Sequence, residues 1–355
     1  MDALIKNINL QRQEIKSDRM DMSFGEIINM YKDKEILISP EYQRAFRWDN
    51  QRQTDFIESI LLGIPFPSIF VATNDDGTWE LIDGLQRVST VLSFFGELQD
   101  EERNNLVLSE GSIIKELVGK TINTLPLELK LAIKRTPCRI EIIQKESNFD
   151  MRYELFKRLN TGGEGLTRQE IRNCIFRGFS NYKVFCDMLK NLSDYPKFRN
   201  NIWISKVQEE EMMYEELVLR FFALYNYRHD YTQKAIQDFF DFVMKRESKE
   251  PNLKLIADFE VVFKRVFDFI DSLGEDINVF RLARLNFSTS MYDALSLSIA
   301  EYRENMDNID KKQFLESIES LKQNDEFKSH AGAASSNASN IREKIRIAKV
   351  ILFNG

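Results

Sequence analysis

Histidine is almost absent: His229 and His330 are the only two in 355 residues. Imidazole-rich metal centres and His-dependent nuclease or triad chemistry therefore have almost no material to work with. Cysteine is scarce too. Cys138, Cys174 and Cys186 form no CxxC pair, and an odd, sparse count does not describe a disulfide framework, so a reducing, cytoplasmic setting is expected. Only 14 Gly and 7 Pro leave little room for long linkers. No apolar run reaches transmembrane length, and the first twenty residues mix charge into every short window, so neither a signal peptide nor a membrane partner is expected. A formal net charge of −7 argues against a protein that coats nucleic acid with its whole surface, which leaves only a local basic groove for any DNA contact.

Hydrophobic residues make up 43% of the chain and charged ones 30%, the balance of a globular protein long enough for two or three compact units. Its chemistry must come from carboxylates, Arg, Lys, Gln and backbone amides. Helical spacing of Phe24, Ile27, Ile28 and Tyr31 predicts a helix over 23–33 with Ser23 as its cap. A short strand follows at 35–39. The turn sequence Asn74-Asp75-Asp76-Gly77 predicts a hairpin between strands 68–73 and 79–82. The second strand runs straight into Asp83-Gly84, and Val88, Val91, Leu92 and Phe95 then mark a helix that Gly96 ends. One more strand is expected at 138–144. From Thr167 onward the pattern is of amphipathic helices, at about 167–177, 179–192, 207–227, 231–247, 253–273, 288–304, 309–324 and 338–353, with no sheet.

A strand, a tight turn and a helix in succession present free backbone N–H groups and a positive dipole end to an anion. Asp83-Gly84-Leu85-Gln86-Arg87 sits at that junction. Gly84 permits the turn, Arg87 can clamp a phosphate, Asp83 can hold Mg²⁺ or orient Arg87, and Gln86 can position a water. Read alone, the pentapeptide is a helix start first, with Asp83 as its cap, Gly84 turning the chain and Arg87 solvated, and it is the neighbouring motifs that favour a site. Gln43, Arg44 and Arg47 offer a second side to an anion pocket, while Phe46 and Trp48 read as core packing before base stacking. A third cluster, Arg158-Leu159-Asn160-Thr161-Gly162-Gly163, is followed by the capping box Thr167 to Glu170 and by Arg168, Arg172 and Asn173. The box is structural; Arg158, Asn160, Arg168, Arg172 and Asn173 gather polar, anion-binding groups around glycine-permitted turns.

Taken together, Ser39-Pro40-Glu41-Tyr42-Gln43-Arg44-x-x-x-Trp48, Ile60-Leu61-Leu62-Gly63-Ile64-Pro65-x-Pro67, Ile82-Asp83-Gly84-x-Gln86-Arg87-x-x-Thr90 and Phe156-x-Arg158-Leu159-Asn160-x-Gly162-Gly163 running on to Arg172-Asn173 resemble the N-terminal domain of GmrSD-type modification-dependent restriction systems, a family related to ParB and sulfiredoxin. The resemblance implies binding, and with it hydrolysis, of a nucleoside triphosphate with Mg²⁺ at the Asp83 turn, with Asp83, Gln86 and Arg87 catalytic and Gln43, Arg44, Arg47, Gly84, Arg158 and Asn160 holding the nucleotide. It also implies a role in DNA defence beside a separate effector or toxin protein. Relatives commonly carry Gln where this chain has Leu85: if that side chain touches the nucleotide, turnover weakens, and if it packs underneath, nothing changes. The HNH nuclease domain of many relatives has no counterpart here. The expected fold is α+β: a small mixed ParB/sulfiredoxin-like sheet with flanking helices over 1–165, then an all-helical domain over 166–355. A non-catalytic, antitoxin-like protein that sequesters a toxic partner through its helical half is the competing reading. On the functional assignment, replacing Asp83, Gln86 or Arg87 leaves the stability of the ligand-free fold unchanged.

Overall fold

The hairpin that seeds the sheet is closed by the turn chemistry of Asn74 to Thr78: the Asn74 N–H donates to the Thr78 carbonyl at 2.8 Å, and Asp76 accepts from the Thr78 N–H at 3.0 Å. Its two strands, β3 (Ile69–Thr73) and β4 (Trp79–Asp83), pair antiparallel in the computed structural model, which describes residues 2–13, 16–38, 46–74, 76–144, 154–155, 158–159, 167–176, 181–232, 235–274, 278–283, 286–302, 306–332 and 334–353. Beyond β4 lies β2 (Ile36–Leu37), in parallel; beyond β3 lies β5 (Pro137–Ile143), also parallel, and β1 (Ser17–Ser23) closes that edge antiparallel to β5. The order β1-β5-β3-β4-β2 makes a five-stranded mixed sheet.

Apolar residues of the sheet, among them Ile69, Val71, Leu81, Ile140 and Ile143, are buried, and three helices bury matching stripes. Phe24–Lys32 contributes Phe24, Ile27, Ile28 and Tyr31; Asn50–Leu62 contributes Phe56, Ile57 and Ile60; Leu85–Phe95 contributes Val88, Val91 and Leu92. Each such side chain supplies about 1.5–3 kcal/mol by leaving water. Ser23 caps the first of these helices as its sequence predicts, accepting from the Glu26 N–H at 3.2 Å.

The chain divides into two compact units, Met1–Leu166 and Thr167–Gly355. In the second, the helices Met213–Tyr227 and Thr289–Glu301 are buried nearly all round, which places them centrally. Phe198, Phe221, Phe222, Phe259, Phe263, Phe267 and Tyr292 pack there ring on ring, with centroids about 5–6.5 Å apart. Besides shifted boundaries, the helical pattern differs from the expected one: short helices stand at Pro196–Asn201 and Asp325–Ala331, where none is expected. The expected 207–227 helix is interrupted: Met212 takes φ +61°, and separate helices Lys206–Glu210 and Met213–Tyr227 result. A short antiparallel pair, β6 (Arg281–Ala283) and β7 (Asn286–Phe287), also stands among the helices, correcting the expectation of no strand in this half. No helix among the described residues is long and apolar enough to cross a membrane.

Candidate functional site

Asp83 is the last residue of β4 and Leu85 the first of the helix Leu85–Phe95, so the whole change of direction falls on Gly84. Its φ of +97° is the left-handed region, where a side chain is strained. A Cβ there would also stand 3.1 Å from Ile69 Cγ1. Having no side chain, Gly84 leaves the helix N-terminus, its positive dipole end, without a side-chain cap where β4 ends.

Arg87 lies across that end. Its Nη2 pairs with Asp83 Oδ2 at 2.7 Å, and its Nη1 donates to the carbonyls of Pro67 and Ser68, the latter at 3.2 Å. The Arg87 side chain is 11% exposed and Asp83 28%, so the pair is half in the fold and half at its surface. Gln86 is bound differently. Its Oε1 accepts from the N–H groups of Arg47 at 3.0 Å and Trp48 at 3.1 Å, and its carbonyl accepts from Thr90 Oγ1 at 2.7 Å. The sequence-based role of Gln86, orienting a water, thus meets a side-chain oxygen already holding two backbone donors. Leu85 is 6% exposed, so its side chain is buried in the fold.

Trp48 takes the packing role: its ring meets Phe56 edge-on at 5.7 Å, and Phe56 contacts Phe24 and Phe66. Arg103 was not a candidate from sequence. It donates from Nη1 to the Phe46 carbonyl at 2.9 Å, with its guanidinium 6.0 Å from the Phe46 ring centroid. Burial pushes the Cys138 thiol up to about 12 despite the opposing pull of the Arg87 charge, so this cysteine of β5 is an inert thiol.

The remaining candidates divide. Gln43, Arg44 and Asn160 lie outside the described residues. Arg47 reaches the turn through its backbone N–H. The Arg158 side chain is 80% exposed and has Glu154, one helical turn back, at 3.6 Å. Arg168, Arg172 and Asn173 belong to the second unit, and their contacts there are with its own residues. Arg172 is fully buried: Nε donates to Asp241 at 2.7 Å, Nη2 to the Gln237 carbonyl at 3.0 Å and Nη1 to Gln169 at 3.1 Å. Arg168 shares Asp241 at 3.2 Å, and Asn173 donates to Glu215 at 2.6 Å. Their polar groups tie helices together. The capping box is present, with Thr167 Oγ1 accepting from the Glu170 N–H and Glu170 accepting from the Thr167 N–H.

Among the described residues no group of three or more His, Cys, Asp or Glu is placed to hold a metal ion. Asp83 alone suits Mg²⁺ that arrives on phosphates, which such ions keep as ligands beside one or two carboxylates, and makes no site for the free ion. Residues 24–177 match the family model described as GmrSD restriction endonuclease, N-terminal domain. No curated protein and no solved structure matches the chain.

Proposed function

We propose that this chain, whose residues 24–177 carry a GmrSD restriction endonuclease N-terminal domain, is the nucleotide-binding component of a restriction-like DNA-defence system, taking a nucleoside triphosphate at the Asp83–Arg87 turn and acting with a separate effector protein. The observation that carries the reading is the glycine-started, side-chain-uncapped helix at the end of β4, flanked by a carboxylate and a guanidinium. First-turn N–H groups donate to phosphate oxygens. Mg²⁺ brought by the triphosphate supplies charge neutralisation, and Asp83 is the carboxylate that would hold it. The Arg87 guanidinium then has a phosphate as well as Asp83 within its choice of anions, so bound ligand and resting ion pair compete. Hydrolysis in such a site proceeds by positioning and charge stabilisation, with no nucleophilic side chain.

The test is equilibrium binding of each of the four ribonucleoside triphosphates with Mg²⁺, followed by phosphate release with and without DNA. Saturable binding that Mg²⁺ strengthens is expected; no binding at millimolar concentration sinks the reading. A non-catalytic partner-binding role is the second reading, favoured by one observation: both terminal nitrogens of Arg87 are already engaged within the fold. Binding without phosphate release, together with co-purification of a toxic partner, would select it.

A further inference from the structure

The segment Phe46–Trp48 is held by side chains from three separate places. Gln86 Oε1 accepts from the N–H groups of Arg47 and Trp48. Arg103 Nη1 donates to the Phe46 carbonyl, and Gln53 Nε2 donates to the Trp48 carbonyl at 2.7 Å. Two of these three holds lead back to the helix Leu85–Phe95. Gln86 stands in its first turn, and Arg103 is tied to its last, because Ser93 Oγ donates to the Arg103 carbonyl. Asp49 then caps the next helix, accepting from the Arg52 N–H at 2.8 Å, so the segment is fixed at its far end as well.

A side-chain oxygen that accepts two consecutive backbone N–H groups locks the peptide planes between them, and so the starting direction of the side chain they carry. That side chain is Arg47. We propose that Gln86 and Arg103 are positioning residues that hold Arg47 against the Asp83–Arg87 turn, so that the guanidinium of Arg47 closes on the phosphates of a bound nucleotide. The assignment rests on the nucleotide reading above. It gives Gln86 a task for its carbonyl oxygen in place of water orientation, and gives Arg103, which lies outside every sequence block, a task at the site.

Two measurements test it. Amide hydrogen exchange of Arg47 and Trp48 in the ligand-free protein should be slow, faster in Gln86→Ala and Arg103→Ala, and slow again in Gln86→Glu, whose carboxylate accepts the same two N–H groups. Titration with N-methylanthraniloyl ATP and GTP in the presence of Mg²⁺ should show Arg103→Ala binding about tenfold more weakly than wild type, the loss of one charge-assisted phosphate contact, with Arg103→Lys between the two. Arg103→Ala binding as tightly as wild type overturns the positioning role and leaves the nucleotide reading standing. Exchange at Arg47 and Trp48 that ignores Gln86→Ala overturns it also. If wild type binds neither probe at millimolar concentration, both readings fall together.

Discussion

Arg87→Ala in the ligand-free protein separates a structural guanidinium from one reserved for ligand. The side chain ties three points at one end of the sheet: the Pro67 and Ser68 carbonyls before β3, and the Asp83 carboxylate at the end of β4. Hydrogen bonds with a charged partner contribute about 1.5–3 kcal/mol each where they are buried, and a buried acceptor left without a donor costs about 1–3 kcal/mol. Here water reaches part of the cluster, since Asp83 is 28% exposed, and the pair with Asp83 is discounted accordingly. Pro67 is exposed, so water replaces the donor its carbonyl loses, and the expected cost is about 1–2 kcal/mol, carried mainly by the part-buried bonds to Ser68 and Asp83. This revises the expectation that the turn residues are neutral for stability. Two of the three tryptophans, Trp48 and Trp79, lie in the first unit, so urea unfolding followed by tryptophan fluorescence reports chiefly on the unit that holds Arg87. Arg87→Ala should lower the midpoint clearly, and Arg87→Lys, which keeps one charged donor but loses the fork, should fall between. An Arg87→Ala midpoint equal to wild type would refute the reasoning: the carbonyl contacts would contribute nothing, and the guanidinium would be available to phosphate at no cost to the fold.

Gly84→Ala should destabilise the first unit by about 1–2 kcal/mol, because the added Cβ meets both a left-handed φ of +97° and Ile69 Cγ1 at 3.1 Å; a thermal melt unchanged from wild type would show that the turn can re-form around a side chain. Iodoacetamide at pH 8 followed by mass spectrometry should modify half-buried Cys186 first and spare Cys138, whose thiol burial pushes up to about 12; early labelling of Cys138 would contradict its placement in β5. Lys344→Met should stabilise the second unit at pH 7. Burial holds the Lys344 ammonium below its ordinary value even though Asp293 pulls the other way, and Arg220 still satisfies Asp293 at 2.5 and 2.6 Å. A depressed lysine makes the unfolded chain bind more protons between the folded value and the ordinary one, so wild-type stability should rise with pH through that alkaline window, and the Met variant should lack the rise. Chemical denaturation at pH 7 and at pH 10 checks both statements, and a destabilised variant at pH 7 would mean that the Nζ bonds to Ser290 and Asp293 outweigh the burial cost.

What could be read from the chain depended on whether side-chain type or backbone pairing defines an element. Phe24, Ile27, Ile28 and Tyr31 announce their helix because its apolar face is written in residue type. Strand β1 is invisible in Ser-Asp-Arg-Met-Asp-Met-Ser, where Met22 alone is buried; the strand exists because its backbone pairs with β5 at the sheet edge, and an edge strand with one exposed face after another carries no alternation. The Gly84 turn was legible for a third reason, since strand, glycine and helix stand consecutively.

The partners of the polar residues were not legible, and the cause is the same for each. Arg87 binds carbonyls 19 and 20 residues away, Gln86 binds N–H groups 38 and 39 away, and Arg172 finds Asp241 at a separation of 69. Backbone acceptors carry no signature in residue type, and a distant carboxylate is one among 56 acidic residues. An arginine in a motif therefore reads as an open cation until its neighbours are seen. In Arg172 the neighbours close it completely: with no exposed surface and a carboxylate, a carbonyl and an amide on its guanidinium, it can only be a tie between helices. Arg87 differs in degree, being paired yet beside an uncapped helix end and a half-exposed carboxylate. That difference in surroundings is why the proposed nucleotide site is built on Arg87, whose partner anion a phosphate would have to replace, and not on Arg172.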